Sequence, residues 1–133
     1  MKADEEVKEK LLKNFEKWKK ELNEMIDYYL SSIKNAEKVE DIMFFKKRLL
    51  LYLLKYFPID IELCYFCIMK ELKRFDTCAD CPYAKYHRRC PEGYSDYAII
   101  IRHLEVLYKL IDEFYYYREG EKYEEKEEKW KSY

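Results

Sequence analysis

Residues 4–37 read DEEVKEKLLKNFEKWKKELNEMIDYYLSSIKNAE. Leu11, Phe15, Trp18, Leu22, Met25 and Tyr29 follow one another at steps of 4, 3, 4, 3 and 4, and Val7 and Ile33 extend the row at both ends. That spacing lays all eight side chains on one stripe of a single long α-helix, at coiled-coil period. The remaining faces are a solvated mixture, since residues 1–38 carry nine acids and nine bases.

Working outward, the far end of the chain repeats the pattern. Tyr97, Ile101, Leu104, Tyr108, Ile111, Tyr115 and Arg118 step by 4, 3, 4, 3, 4 and 3. Ser95 is a suitable N-cap for this helix. Gly120 is one place for it to end, and the Lys/Glu-rich stretch through Trp130 is another way for it to continue. Between the two long helices, residues 39–57 form a helix that is apolar nearly all round, with Ile42, Met43, Phe44, Phe45, Leu49–Leu51, Leu53, Leu54 and Phe57. Such a helix is expected to be central and buried, and Pro58 ends it. Asp60 offers an N-cap for a third helix over about 60–74. Residues 75–94, with Pro82, Pro91 and Gly93, read as one long irregular loop, a feature that needs a function or a staple.

The expected fold is therefore all-α. It is an up-down four-helix bundle with two long helices, about 4–37 and 95–119 or beyond, and two shorter ones, plus a cysteine-stapled loop at about 75–94. In that topology the two long helices run on together as an antiparallel extension, and the cysteine loop lies at the pole opposite the start of helix 1. The whole of 1–133 reads as a single helical domain with a cysteine-rich segment, 64–90, inside it.

Composition sets the remaining bounds. The chain has 133 residues, 49% hydrophobic and 40% charged, which excludes a disordered chain. Two glycines and three prolines are too few for a β-sandwich or barrel, and they exclude Gly-rich phosphate loops. Lys and Glu together number 39, Gln is absent and Asn occurs three times, the pattern of a hyperthermophile, an archaeon or one of its viruses. The start lacks the apolar run of a signal peptide, and the longest apolar run, Leu49–Leu54, is far too short to span a membrane. A cytoplasmic protein is expected.

The chemistry concentrates in five cysteines, Cys64, Cys67, Cys78, Cys81 and Cys90, spaced C-x2-C-x10-C-x2-C-x8-C with His87 between the last two. Two C-x2-C pairs about ten residues apart can converge as a tetrahedral four-sulfur zinc site. Cys64, Cys67, Cys78 and Cys81 are the expected ligands, with His87 and Cys90 as alternates. At 1.5 Å per residue a helix running to Arg74 carries the chain about 10 Å past Cys67. The loop must then double back, so helix 3 has to end by about Arg74.

A second set, Cys78, Cys81, His87 and Cys90, has C-x2-C-x5-H-x2-C spacing, close to the C-x2-C-x4-H-x4-C of nucleic-acid-binding zinc knuckles but without their glycines. An iron–sulfur cluster on four of the five thiolates is a third reading. Cys78-Ala79-Asp80-Cys81-Pro82-Tyr83 with the following Cys90-Pro91 resembles the iron-staple segment of some DNA nucleases, which uses C-x2-C-x5-C and a distant fourth cysteine. Here the spacer is x8 and no nuclease carboxylate motif is present, so the chain is not assigned to that family. Disulfides, with no metal at all, are the fourth reading, open because intracellular hyperthermophile proteins form them.

Charge is polarised along the chain. Residues 70–90 carry six bases against three acids, and residues 96–133 seven bases against ten acids. Lys70, Lys73, Arg74, Lys85, Arg88 and Arg89 interleave with Tyr83 and Tyr86, a combination suited to phosphates and unstacked bases. No Ser–His–Asp order, H-E-x-x-H or E-x-x-H motif occurs. The expected function is a small non-catalytic interaction module with a structural cysteine cluster, most simply zinc, that binds nucleic acid through this patch. The alternative is a protein–protein or homodimer assembly module using the long helices. No membrane and no small-molecule substrate is indicated.

Overall fold

The structure, a computed structural model, describes residues 2–90 and 93–115. It is all-α, with no strand among the described residues. Five helices follow in order: α1 (Glu5–Asn35), α2 (Val39–Lys55), α3 (Tyr65–Glu71), α4 (Pro82–His87) and α5 (Asp96–Leu110). Short 3-10 turns cover Ile61–Leu63 and Cys78–Asp80, and a π-helical turn, Ile111–Tyr115, follows α5. Among the described residues, no helix is long and apolar enough to cross a membrane. The possible continuation of the last helix past 115, and with it the antiparallel extension, lies outside the described residues.

The chain divides into two compact units. The first comprises the stretch through Asn23 together with Phe57–Ile101, and the second Glu24–Tyr56 with the stretch from Arg102.

In the first unit, Asp4 starts α1. Its carboxylate accepts from the amides of Glu6 (3.1 Å) and Val7 (3.3 Å), an N-cap in the usual geometry. The same residue ties α1 to the cysteine segment. Its amide donates to the Tyr65 hydroxyl at 2.6 Å, and its carboxylate meets Arg74 Nε at 2.8 Å. Lys10 pairs with Glu71, and Asn14 Nδ2 donates to the Glu62 carbonyl at 2.8 Å. Asp4 thus meets both Tyr65 and Arg74, at the two ends of the third segment, while Lys10 and Asn14 meet Glu71 and Glu62, so the segment is laid against the first turns of α1. Arg74 also brings the edge of the 75–94 segment to the start of α1, not to the opposite pole.

Helix 3 is shorter than the expected 60–74. Asp60 precedes the 3-10 turn without a side-chain cap, and Cys64, with extended backbone (φ −105°, ψ 118°), interrupts the helix before α3 begins. α3 closes in a Schellman turn. The Arg74 amide bonds the Met69 carbonyl (2.8 Å) and the Lys73 amide that of Lys70 (2.9 Å), with Lys73 at φ 60°. The condition that the helix end by Arg74 is met. The 75–94 segment is not an irregular loop throughout: it contains the Cys78–Asp80 turn and α4, which Pro82 begins at a position where its missing amide costs nothing.

In the second unit, the expected apolar row of α1 continues with Met25 and Ile33 half-buried and Tyr29 buried. α2 lies antiparallel to the last helix: Lys55 sits over Tyr108 (5.1 Å), Lys47 reaches Asp112, and Lys46 sits over Tyr115 (5.5 Å). α2 is not buried on all sides as its composition suggests. Leu51 and the stem of Lys47 are buried, while Phe44 and Leu53 face solvent. Lys47 can be buried because its ammonium meets both the carbonyl and the carboxylate of Asp112.

Candidate metal centre

The first unit brings the cysteines together from four short elements. Cys64 is the N-cap residue of α3 and Cys67 lies in its first turn, so the pair flanks a helix start instead of lying within a helix. Cys78 opens a 3-10 turn, and Cys81 both closes it and caps α4. Cys90 is fixed from the other side: the buried Ser95 hydroxyl donates to its carbonyl at 3.1 Å and accepts from the Ala98 amide at 3.1 Å, capping α5 as the sequence suggests.

Two cavities share these walls. One, of about 490 Å³, is bordered by Cys67, Cys78, Cys81 and Cys90, with Phe66, Phe75 and Tyr83 among the apolar lining. The other, of about 290 Å³, is bordered by Cys64, Cys67 and Cys90 with Tyr83 and Tyr97. All five cysteines are free thiols and half-buried. Among the described residues, no group of three or more His, Cys, Asp or Glu side chains closes on a metal ion.

The thiols are near enough to oppose one another's ionisation. Burial pushes the Cys67 thiol up to about 12, helped by a hydrogen bond with Cys64 and by the neighbouring sulfurs of Cys64, Cys90 and Cys81. Burial raises Cys90 too, together with Cys64, Cys81 and Cys78. Tyr83 and Tyr97 are raised by burial and then by nearby acids and thiols. One cation reaches the group: Lys70 Nζ stands 3.5 Å from Cys78 Sγ.

No family model, no curated protein and no solved structure matches the chain.

His87 lines neither cavity. Its Nδ1 is 2.6 Å from Asp96 Oδ2, and its ring stacks on Tyr83 with centroids 4.5 Å apart. The structure therefore does not bring His87 to Cys78, Cys81 and Cys90 as the knuckle-like spacing suggests. Nothing in the sequence pairs His87 with Asp96.

The basic and tyrosine residues separate into two groups. Lys70 turns to the cysteines, Arg74 is held by Asp4 and by Glu6 (3.3 Å), and Tyr83 is packed between Phe66 and His87. Lys73, Lys85, Tyr86, Arg88 and Arg89 are exposed. Tyr86 is 77% exposed, with the Lys85 ammonium 5.6 Å from its ring centroid. The triplet Lys46-Lys47-Arg48 belongs to the second unit, where Lys47 is buried.

Proposed function

We propose that this chain is a non-catalytic interaction module. In it a thiolate-held metal centre, zinc or an iron–sulfur cluster, fastens the 64–90 segment, and the exposed residues of α4 with the two arginines that follow it bind nucleic acid. The observation that carries the reading is that five half-buried free thiols border two adjoining cavities in the first unit. Thiols that raise one another's pKa through burial and proximity are a set that a soft cation satisfies, releasing their protons as it binds. Lys85, Tyr86, Arg88 and Arg89 offer charge for phosphates and an open ring for a base. The Lys/Glu-rich, amide-poor composition supports a hyperthermophile source.

The test is anisotropy of a labelled single-stranded oligonucleotide with metal-replete protein over a salt series. Binding should weaken steeply with salt, and Arg88→Ala with Arg89→Ala should weaken it irrespective of sequence. Absence of binding at low salt refutes the nucleic-acid half. Absence of bound metal after anaerobic purification refutes the metal half.

A second reading, assembly with a protein partner or a second copy, is favoured by the second unit. There Tyr28, Leu30, Val39 and Phe44 are all about half exposed or more. Light scattering across a concentration series tests self-association.

A further inference from the structure

Two residues three apart inside a helix hold their Cβ atoms about 5–6 Å apart, more than the ~3.5–4.5 Å that a disulfide spans. Cys64 and Cys67 are three apart, but Cys64 is not inside the helix. It is the N-cap residue of α3, with extended backbone (φ −105°, ψ 118°), and Cys67 lies in the first turn. The Ile68 amide donates to the Cys64 carbonyl at 3.0 Å and so fixes Cys64 on that turn. The two thiols are already hydrogen-bonded to each other.

The other thiols are engaged elsewhere. Cys78 Sγ has Lys70 Nζ at 3.5 Å, and the Cys90 carbonyl is held by Ser95 at the start of α5. Cys64 and Cys67 are half-buried and, with Cys90, border one half-open cavity of about 290 Å³, which gives a small reagent an approach to both. A bridge across one helical turn also closes the shortest loop, and loop closure stabilises least where the loop is short. Linking either residue to Cys90 would enclose more than twenty residues and act as a staple. Joining Cys64 to Cys67 makes a bond better suited to forming and breaking.

We propose that Cys64 and Cys67 are a reversible dithiol–disulfide couple, the site at which a small-molecule disulfide oxidises this chain. One of the two thiols loses its proton and its sulfur attacks the reagent, breaking the reagent's S–S bond and releasing one small thiol. The other displaces the second small thiol from the mixed disulfide. One protein dithiol and one small disulfide thus become one protein disulfide and two small thiols. The couple goes beyond the metal-centre reading and is tested apart from it.

The full chain is equilibrated without oxygen in glutathione buffers of graded reduced-to-oxidised ratio, with and without a chelator. Free thiols are alkylated and the protein is digested with trypsin. Cleavage places Cys64 and Cys67 in peptide 56–70, Cys78 and Cys81 in 75–85, and Cys90 in 90–102, so each pairing has its own mass signature. The expected result is a 56–70 peptide that escapes alkylation and is lighter by two hydrogens, formed at a more reducing ratio than any change in 75–85. It should return to the alkylated form when reduced glutathione is restored. In Cys67→Ser, with far-UV circular dichroism confirming the helices, Cys64 should retain a bound glutathione that the wild type sheds.

A 56–70 peptide alkylated at both cysteines in both arms overturns the couple, and so does one cross-linked instead to 75–85 or 90–102. Oxidation seen only with the chelator supports the couple and assigns it to the metal-free chain. Metal content, measured on the same preparation, decides the metal-centre reading separately.

Discussion

The Ser95 hydroxyl joins Cys90 to the first turn of α5, donating to the Cys90 carbonyl while accepting from the Ala98 amide. Ser95 is fully buried, so neither bond can be replaced by water. Ser95→Ala is expected to lower stability by about 1–2 kcal/mol, the cost of a lost N-cap with the half-buried Cys90 carbonyl losing its donor. It should also weaken retention of any metal bound near Cys90, read as faster release to a chelator. Ser32→Ala is the control, because Ser32 is mid-helix and half-buried, and its hydroxyl donates to the Tyr28 carbonyl one turn back and caps no helix start. Thermal melts of the two variants should separate clearly.

Lys73 ends α3 with φ 60°, a conformation that costs an L-residue about 1–2 kcal/mol and glycine almost nothing. The Schellman bonds of Lys73 and Arg74 are made by backbone amides and survive the change. Lys73→Gly should therefore raise stability by roughly 0.5–1 kcal/mol, less than the full strain, because glycine's greater freedom in the unfolded chain offsets part of the gain. A lower melting temperature would show that the Lys73 side chain makes contacts that outweigh the strain.

Periodicity made the long helices legible. The row from Val7 to Ile33 faces inward in the structure, and so does the row through Tyr97, Ile101, Leu104 and Tyr108. What periodicity does not carry is placement. The seating of the third segment against the start of α1 depends on Asp4 meeting Arg74 and Asn14 meeting Glu62, contacts 70 and 48 residues apart. At the cysteines, spacing marked the residues but not their backbone. Cys64 and Cys67 are i and i+3 in either case, yet the extended conformation of Cys64 moves the pair to a helix start. Composition misled for α2, where apolar content suggested full burial but Phe44 and Leu53 remain exposed. In the basic segment, charge counting could not see that Arg74 is matched by Asp4 and Glu6.

The Asp4–Arg74 contact gives a pH dependence with a definite sign. The Arg74 guanidinium, followed by the amides of Val7 and Glu6, holds the Asp4 carboxyl below its ordinary value of 3.8. A carboxylate with a lowered folded pKa contributes stability that is complete above its unfolded pKa and is lost as pH falls through the folded value. Melts between about pH 6 and pH 2 should therefore show a loss beginning near pH 4 that is shallower in Asp4→Asn. Both side chains are about a third exposed, so solvent and salt reach the pair, and added salt should flatten the wild-type curve toward the variant. Identical acid limbs for the two proteins would remove Asp4 as a source of acid sensitivity.

Lys47 tests what a buried lysine contributes in the second unit. It is 8% exposed, with its ammonium on the Asp112 carbonyl and 3.4 Å from the carboxylate Oδ1. The Asp112 side chain is 57% exposed, so the ion pair itself is worth little. Most of the stabilisation should come from the packed aliphatic stem and from satisfying the carbonyl inside the π-helical turn. Lys47→Ala, which removes both, should cost about 2–3 kcal/mol. Lys47→Met keeps the stem and loses only the donor, so its cost should be about 1 kcal/mol. Denaturant unfolding of the two variants decides the matter: equal losses would mean that the charge, not the stem, holds α2 against the Ile111–Tyr115 turn.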